Sequence, residues 1–337
     1  MELKINKLLL LIALPFFLTG CPKSKSVHKI SEQKTEKKQV LVTPPFNPDS
    51  AYTYTADQVA FGPRVMNSEA HKACGDYLVK QLNRFGARVY EQRADLTAFD
   101  NTIYKARNII GSFNPDMTQR VMLCAHWDSR QFADQERDKE LMRKPIDGAN
   151  DGASGVGVLL EIARQIGLHN LPFGVDIIFF DAEDQGQPRF LPASNNSADT
   201  WCLGSQYWAK HPHKENYWAQ YGILLDMVGA KNAVFPMEGF SMENAPDLVN
   251  KIWNLASNMG YSQYFLFERS APVTDDHYYV TKGSGIPCID IIHYHQSNIH
   301  GFGDFWHTHD DTMDIIYKPT LYAVGSVLLE HLYQQPF

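Results

Sequence analysis

Apolar residues recur at helical spacing in several stretches of this 337-residue chain. One stretch begins at Asn67 or Ser68, either of which can cap a helix, and ends at Gly86. A second predicted helix runs from Gly152 to Leu168, with Asp151 at its N-terminus. Further helices are predicted near residues 205–211, 246–259 and 319–332.

Short, continuous apolar runs lie between these helices and are typical of strands that are covered on both faces. They lie over residues 175–180, 223–225 and 286–292, and further strand-like segments lie around Val89 and over residues 107–110 and 121–124. Because strands alternate with helices, we expect an α/β fold with three α/β/α layers and a central, mostly parallel (mixed) sheet. Ligands bind beyond the C-terminal ends of the strands in such sheets. The polar segment from Gln185 to Cys202 lacks an apolar period and is predicted to be a long loop that helps to shape a pocket.

The N-terminus has the pattern of an export signal. Lysines precede an apolar stretch over residues 8–17, which is shorter than the ~20 residues that a membrane-spanning helix needs. The following Leu-Thr-Gly-Cys resembles a bacterial lipoprotein cleavage site. We therefore predict that residues 1–20 are a signal peptide and that Cys21 is the lipidated residue. An ordinary signal peptide or a weak membrane anchor is the alternative.

The rest of the chain divides into a tether and one domain. Residues 21–44 are mostly polar and are predicted to be a flexible tether, and residues 45–337 to be a single catalytic domain. Lipid is expected to be the only membrane contact, at the periplasmic face. Pro22 and Lys23 lack the aspartate that often retains lipoproteins at an inner membrane, which favours the outer membrane.

Charge and cysteine content narrow the possible partners. The formal net charge is -7, and no basic cluster follows the tether, which argues against nucleic acid as a partner. Beyond Cys21 the cysteines are even in number, so an exported chain could form one or two disulfides, or keep its thiols as buried apolar groups. The pairing stays open for Cys74, Cys124, Cys202 and Cys288.

The candidate chemistry lies in acidic and histidine residues that follow the apolar runs. Asp151, Asp184 and His307 supply the carboxylate and imidazole donors that zinc accepts. Catalytic zinc sites usually have three protein ligands and leave a fourth position open. In an extended backbone Glu183 would point away from Asp184, so it could face the open position as a general base.

Six ordered motifs resemble the zinc-dependent glutaminyl cyclases, especially their bacterial branch, within the fold family of zinc aminopeptidases. The resemblance runs from about residue 55 to the C-terminus. The motifs are His126-Trp127-Asp128-Ser129, Asp151-Gly152-Ala153, Phe179 to Asp184, Leu224 to Ala230, Asp275-Asp276-His277 and Trp306-His307-Thr308. The resemblance implies that one zinc per chain is held by Asp151, Asp184 and His307, and that Glu183 is the proton shuttle. Asp184 stands where the animal enzymes have glutamate, so the carboxylate is kept and its reach is shorter.

Asp275 is the position that separates two activities of this fold family. A two-zinc aminopeptidase would bind its second metal through His126, Asp151 and Asp226, and all three are present. The resemblance implies that Asp275 hydrogen-bonds to Asp226, so that the two carboxyls share a proton and Asp226 becomes a poor metal ligand. His126 would then stand behind the metal ligands, oriented by Asp128. The two-zinc aminopeptidase remains the alternative, and a metal-free receptor of the same fold is the third possibility.

The activity that the resemblance implies is cyclisation of an N-terminal glutamine, in peptides or proteins, to pyroglutamate with loss of ammonia. Asp226 and Asp275 would help to hold the amine, and Trp306, Phe302 and Trp201 would form the apolar walls around the glutamine side chain. The remaining histidines near residue 307 are expected to be hydrogen-bonded structural groups: His293, His295, His300 and His309. Acidic residues 310, 311 and 314 are expected to cap or precede the last helix, and Asp276 and His277 to position the loop of Asp275.

Overall fold

The computed structural model describes residues 41–192, 199–298 and 300–335, so the predicted signal peptide, Cys21 and most of the predicted tether lie outside the described residues. Within the described ranges, no helix is both long enough and apolar enough to cross a bilayer.

A six-stranded mixed sheet forms the centre of the described domain, in the order β1-β2-β4-β3-β5-β8. Its strands are β1 (Arg88–Thr97), β2 (Ile103–Phe113), β3 (Arg120–His126), β4 (Gly174–Phe180), β5 (Gly222–Asp226) and β8 (Cys288–Ile292). Strands β4, β3, β5 and β8 are parallel, whereas β2 is antiparallel to both of its neighbours. A separate two-stranded sheet pairs β6 (Phe235–Met237) with β7 (Phe265–Arg269).

Helices cover both faces of the central sheet. They are α1 (Pro48–Val59), α2 (Glu69–Arg84), α3 (Ala153–Leu168), α4 (Leu203–Lys210), α5 (Gly239–Asn244), α6 (Pro246–Asn258), α7 (Asp276–Ser284) and α8 (Lys318–Tyr333). Helices α1, α2, α3, α6 and α8 contribute to a large apolar core on one face, and α4 and α7 to a smaller core on the other. The three-layer α/β/α prediction is confirmed.

The apolar runs of the sequence became strands because helices exclude water from both of their faces. Every residue of β3, β4, β5 and β8 is buried. Fully burying one Val, Leu, Ile or Phe side chain contributes roughly 1.5 to 3 kcal/mol, so these strands are a main source of stability. The predicted helix after Ser68 is α2: the Ser68 side chain accepts a hydrogen bond from the backbone N–H of His71, and Gly86 follows with φ +89°.

Some elements were not predicted from the sequence. One is helix α1, in which Asn47 is the N-cap and Pro48 is the first residue. This helix packs against α3. The strand predicted around Val89 is β1, but its length was not foreseen: it alternates between exposed and half-buried residues along its antiparallel partner β2 and lacks the continuous apolar run of the central strands. The described parts of the predicted loop, residues 185–192 and 199–202, contain neither a strand nor an α-helix.

Candidate active site

The candidate residues converge at the C-terminal edge of the parallel strands. His126 is the last residue of β3, and Asp226 is the last residue of β5. Asp151 lies just before α3, and its neighbour Gly152 has φ +96° and packs so closely on the backbone carbonyl of Asp128 that a side chain would not fit. The C-terminal ends of β3 and β5 and the N-terminus of α3 thus supply groups to one site, and the segment after β4 adds to them.

The segment after β4 is a bend, so the expected extended backbone at Glu183 and Asp184 is wrong. Ala182 has φ +53°, in the left-handed region. The backbone N–H groups of Glu183 and Asp184 donate to the two carboxylate oxygens of Asp128, at 3.0 and 3.1 Å. Gln185 Nε2 also donates to Asp128, at 2.9 Å. Asp128 therefore fixes the bend that presents both acidic side chains.

Asp128 also lies beside His126, which it was predicted to orient. His126 Nδ1 lies 3.6 Å from Asp128 Oδ1, beyond hydrogen-bond length. Among the described residues, His126 Nδ1 has no hydrogen-bond partner. The hydrogen bonds of the Asp128 carboxylate go to the bend, and its contact with the imidazole is an ion-pair distance.

Asp151, Asp184 and His307 form a buried group whose donor atoms all lie within 4.8 Å of one another. His307 Nε2 is 3.1 Å from Asp184 Oδ1 and 3.6 Å from Asp151 Oδ2. Asp184 Oδ2 is buried, and no hydrogen-bond partner for it occurs in the described ranges. Two carboxylates, one imidazole and an unpaired buried oxygen suit the donor preferences of a catalytic zinc.

Residues behind this group hold its members in place. His307 Nδ1 lies 3.1 Å from Asp134 Oδ1, and Arg130 donates to both Asp134 oxygens at 3.0 and 2.9 Å. Burial alone would raise the pKa of Asp134, but the hydrogen bonds from His307 and Arg130 outweigh it and hold that pKa well below its usual range. A charged Asp134 fixes the ring of His307 with Nε2 facing the two acids.

Asp311 holds Asp151 in a similar way, through the backbone. Its carboxylate accepts from the N–H groups of Asn150 and Asp151 at 2.7 and 3.0 Å. Burial and the charge of Asp151 raise the pKa of Asp311 to about 8. Asp311 precedes the last helix, as one of the two expected alternatives, but it does not cap it, because α8 begins only at Lys318 and Asp311 is fully buried beside Asp151.

A second buried group shares Asp151 with the first. His126 Nε2 lies 3.0 Å from Asp151 Oδ1 and 3.2 Å from Asp226 Oδ1, and the three donor atoms lie within 4.8 Å of one another. The donors that a two-zinc peptidase would use are therefore together.

Crowded carboxyls shape the electrostatics of the site. Burial and the charge of Asp151 raise the pKa of Asp184 to about 6. Burial raises the pKa of Asp226 to about 7, and the charges of Asp151 and Asp275 raise it as well. The hydrogen bond from His126 lowers this pKa but does not outweigh them. Such repulsion is relieved by a bound divalent cation, so the donor set fits a metal on electrostatic as well as geometric grounds.

The acids open into a cavity of about 290 Å³. The Trp306 ring lies 3.8 Å from that of His307, and the Phe302 ring 4.7 Å from that of Trp306, centroid to centroid. Trp201 lies nearly parallel to the His307 ring at 6.0 Å, and the Arg130 guanidinium sits 4.4 Å above Trp201. The structure thus brings all three predicted wall residues to the cavity, together with Asp151, Glu183, Asp184, Asp226, Asp275 and His307.

Asp275 is the N-cap of α7, so Asp276 and His277 belong to a helix and not to a loop. Asp275 Oδ1 accepts from the backbone N–H of Asp276 at 2.5 Å. His277 is buried, with Nε2 3.1 Å from Glu238 Oε2. The helix turns the carboxyl of Asp275 toward the cavity that it lines.

The other predicted structural histidines differ in their surroundings. His309 Nδ1 contacts Glu136 at 3.1 Å, and His295 Nδ1 contacts the Ser297 hydroxyl at 2.6 Å, as expected of hydrogen-bonded groups. His300 packs on the Trp306 ring, 5.7 Å between centroids. Burial lowers the pKa of His293 to about 4. Within the described ranges Cys74, Cys124, Cys202 and Cys288 are free, buried thiols.

Sequence reasoning missed Arg130, Asp134 and Asp311. Arg130 and Asp134 are four residues apart, a spacing that could have suggested an ion pair. Asp311 left no local signal, because its partners lie about 160 positions earlier in the chain. These residues do not touch the cavity, yet each holds a metal-ligand candidate.

Comparisons with known proteins agree with this geometry. A model of "Peptidase family M28" matches residues 108–332. A zinc-dependent exopeptidase from Parabacteroides distasonis superposes with a TM-score of 0.86 and 54% identity, covering 87% of this chain and 100% of that one. Tannerella forsythia glutaminyl cyclase superposes with a TM-score of 0.85 and 52% identity, with coverages of 87% and 100%.

A relative outside bacteria is more distant. Glutaminyl-peptide cyclotransferase of Bothrops jararaca is 29% identical over 247 residues, which are 66% of this chain and 63% of the relative. The chain thus spans less than two thirds of the length of that relative. The two bacterial structures carry different activity names at nearly equal similarity, so the site residues must separate the activities. The match over residues 108–332 shows that the chain belongs to peptidase family M28, in which its fold and sequence place it beside bacterial glutaminyl cyclases.

Proposed function

We propose that this protein is a glutaminyl-peptide cyclotransferase, which converts the N-terminal glutamine of peptides or proteins to pyroglutamate with release of ammonia. The proposal includes one zinc per chain, held by Asp151, Asp184 and His307. A zinc bound there would act as a Lewis acid toward the γ-carboxamide oxygen of the glutamine.

The observation that carries the proposal is the unequal support of the two histidines. A metal-bound histidine almost always donates its second ring N–H to a carboxylate, a carbonyl or water. His307 has such a partner in Asp134 at 3.1 Å. His126 Nδ1 finds none among the described residues, and its Nε2 contacts Asp151 and Asp226. This difference favours one metal, and a one-metal site favours cyclisation over two-metal peptide hydrolysis.

Glu183 is the proposed proton shuttle. In the reaction a bond forms between the α-nitrogen and the γ-carbon, the γ-carbon to nitrogen bond breaks, and Glu183 moves a proton from the α-amine to the departing ammonia. Burial raises the pKa of Glu183 well above its ordinary value, and the charges of Asp275 and Asp184 raise it further against His126. The α-amine has a pKa near ~8, so a shuttle with a raised pKa is well matched to it.

Asp226, Asp275 and the aromatic walls complete the proposed substrate site. The two carboxyls would hold the α-amine. Trp201, Phe302 and Trp306 enclose the side of the cavity at His307 and would exclude water from the γ-carbon, so that the internal amine is the nucleophile. Because the nucleophile is internal, no activated water is required.

The test uses zinc-loaded protein and a peptide that begins with glutamine. We expect release of one ammonia per peptide and the matching loss of mass, with no free amino acid. The same peptide beginning with leucine is the control and should be left unchanged. Release of free amino acid without pyroglutamate would sink the cyclase proposal.

The two-zinc aminopeptidase remains the second candidate, because His126, Asp151 and Asp226 lie together. It predicts two tightly held zincs per chain and release of leucine from the control peptide.

We also infer that the protein is an exported bacterial lipoprotein, attached through Cys21 to the periplasmic face of a membrane, the outer one being favoured. The support is the sequence of residues 1–23 alone. Mass spectrometry of the protein from its native membrane should find Cys21 as the lipidated N-terminus, and a mature N-terminus at another residue would contradict it.

A further inference from the structure

A third group of possible metal donors lies beside the cavity, with Glu183 and Asp275 on its wall and Cys202 buried behind them. Glu183, Cys202 and Asp275 each offer one donor atom, and these atoms lie within 4.8 Å of one another. They come from the bend after β4, the N-terminus of α4 and the N-terminus of α7. The group shares no residue with Asp151, Asp184 and His307.

The thiol of Cys202 is fixed relative to Glu183. Its backbone N–H donates to the backbone carbonyl of Glu183 at 2.8 Å. Its Sγ lies 3.2 Å from Glu183 Oε1 and donates to it. The side chain is fully buried, and φ at Cys202 is +54°, so an unusual backbone conformation holds the thiol at this place. The sulfur thus faces a carboxylate and is not packed only against apolar atoms.

Asp275 has one carboxylate oxygen that makes no hydrogen bond among the described residues, not even the one expected to Asp226. Its Oδ1 accepts from the N–H of Asp276. Its Oδ2 has no partner in the part of the chain that the structure describes, although the residue is only 4% exposed. A buried carboxylate oxygen without a partner costs free energy, and a bound cation would satisfy it. Because Glu183 and Asp275 line the cavity, a cation can reach them from solvent.

The donor set selects the class of cation. A thiolate favours zinc and softer ions such as cadmium, whereas magnesium and calcium prefer oxygen donors alone. We propose that Glu183, Cys202 and Asp275 form a second, inhibitory site for a thiophilic divalent cation, either zinc in excess or cadmium. On binding, the thiol loses its proton to solvent and a metal–sulfur bond forms, with no change in oxidation state.

Inhibition follows from the role of Glu183, and this part of the inference rests on the proposed function. A carboxylate that coordinates a cation cannot accept and return a proton. The cation would therefore stop turnover while the first zinc stays on Asp151, Asp184 and His307. Binding itself does not depend on turnover and can be measured separately.

Cadmium titration of the zinc-loaded full chain reports binding directly, because a cadmium–thiolate bond absorbs in the ultraviolet. All proteins carry Cys21→Ser, so that this thiol does not contribute. We expect the band to saturate at one cadmium per chain. Cys202→Ser should abolish the band, since its hydroxyl can still donate to Glu183 but is a poor metal ligand. Cys74→Ser, at a buried thiol outside the cavity, should keep the band.

Activity gives the second readout. At a zinc excess that inhibits the Cys21→Ser protein about tenfold, Cys202→Ser should lose less than about half of its own activity, because a changed ligand environment weakens metal binding by about 10- to 100-fold. Asp275→Asn serves as a second variant, since asparagine also caps helices, and should weaken cadmium binding at least about tenfold.

The site is disproved if the Cys21→Ser protein shows no cadmium–thiolate band, or if the band persists in Cys202→Ser. It is also disproved if zinc inhibition is unchanged in Cys202→Ser and is relieved by His126→Ala, because the inhibitory ion would then bind His126, Asp151 and Asp226. Failure of the proposed function would appear instead as the absence of pyroglutamate, with the cadmium band intact.

Discussion

His307 and His126 are both buried and both face Asp151, yet the structure holds them differently. His307 has a carboxylate behind it, Asp134, which is itself held by Arg130. The carboxylate behind His126 is Asp128, which lies 3.6 Å away and accepts hydrogen bonds from the bend at Glu183 and Asp184 instead. The number of donors is the same in the two groups, so their supporting residues, rather than their count, distinguish a metal site from a hydrogen-bonded neighbour.

Exchanging each histidine for alanine tests this difference most strongly. His307→Ala should lose its zinc and more than about 100-fold in turnover, because loss of a ligand exceeds the effect of losing a supporting residue. His126→Ala should keep one zinc and lose less than about tenfold. Metal analysis and ammonia release measure the two effects. Equal loss of zinc in both variants would erase the distinction between the groups.

Removing the support of His307 should have the next largest effect. Asp134→Asn weakens the hydrogen bond to His307 Nδ1 and the ion pair with Arg130, and we expect zinc affinity to fall by about 10- to 100-fold. Glu136→Gln is the matched control, since Glu136 pairs with the partly exposed His309 at 3.1 Å. The zinc affinity of Glu136→Gln should stay within about twofold of that of the unmodified protein. Competition with a chelator measures both constants, and similar losses in the two variants would argue against a special role for Asp134.

The backbone support of Asp151 predicts a smaller effect. Asp311→Asn keeps one oxygen acceptor for the N–H groups of Asn150 and Asp151 and removes the other, which should cost about 1 to 2 kcal/mol of unfolding free energy. Asp310→Asn, at the exposed neighbour, should change stability by less than about 0.5 kcal/mol. Urea unfolding measures both. An Asp311→Asn variant as stable as the unmodified protein would mean that the turn at Asn150 and Asp151 keeps its conformation without this carboxylate.

The buried His331 gives the smallest effect and serves as a reference for His126 and His307, because burial is the largest cause of its pKa shift. Burial lowers the pKa of His331 from 6.5 to about 3, and its Nε2 lies 2.9 Å from the Tyr221 hydroxyl. The unfolded chain binds the proton first, so stability is full above about pH 6.5 and is lost as the pH falls toward about 3. At about pH 5.5 the loss should be about 1 kcal/mol.

His331→Gln should remove this part of the acid sensitivity, because glutamine can accept from Tyr221 without titrating. Unfolding free energies between about pH 7 and pH 5 measure the slope. An equal slope in both proteins would show that His331 does not remain neutral in the folded state.

The local sequence was enough to predict an element whose residues are all apolar and buried. The run over residues 175–180 became β4 because its residues are buried on both faces of the sheet. Among the zinc-ligand candidates, Asp184 closely follows such a run, whereas Asp151 lies before α3 and His307 lies well beyond β8. The bend at Ala182 could not be predicted from the sequence, since nothing about an alanine requires φ +53°.

The sequence did not reveal the hydrogen bonds that hold the candidate ligands, because they join residues far apart in the chain. His307 and Asp134 are 173 positions apart, and Asp311 and Asp151 are 160. An aspartate that accepts two backbone N–H groups looks the same in the sequence as one that caps or precedes a helix, so the role of Asp311 was missed. Asp128 lies beside its predicted partner His126, but its hydrogen bonds to the bend were not foreseen.

The most direct test of the central claim is an anomalous scattering measurement at the zinc edge, on crystals of protein that carries only tightly bound zinc. We expect a single peak between Asp151, Asp184 and His307, with His307 Nδ1 still hydrogen-bonded to Asp134. A second peak between His126 and Asp226, bridged by Asp151, would contradict it.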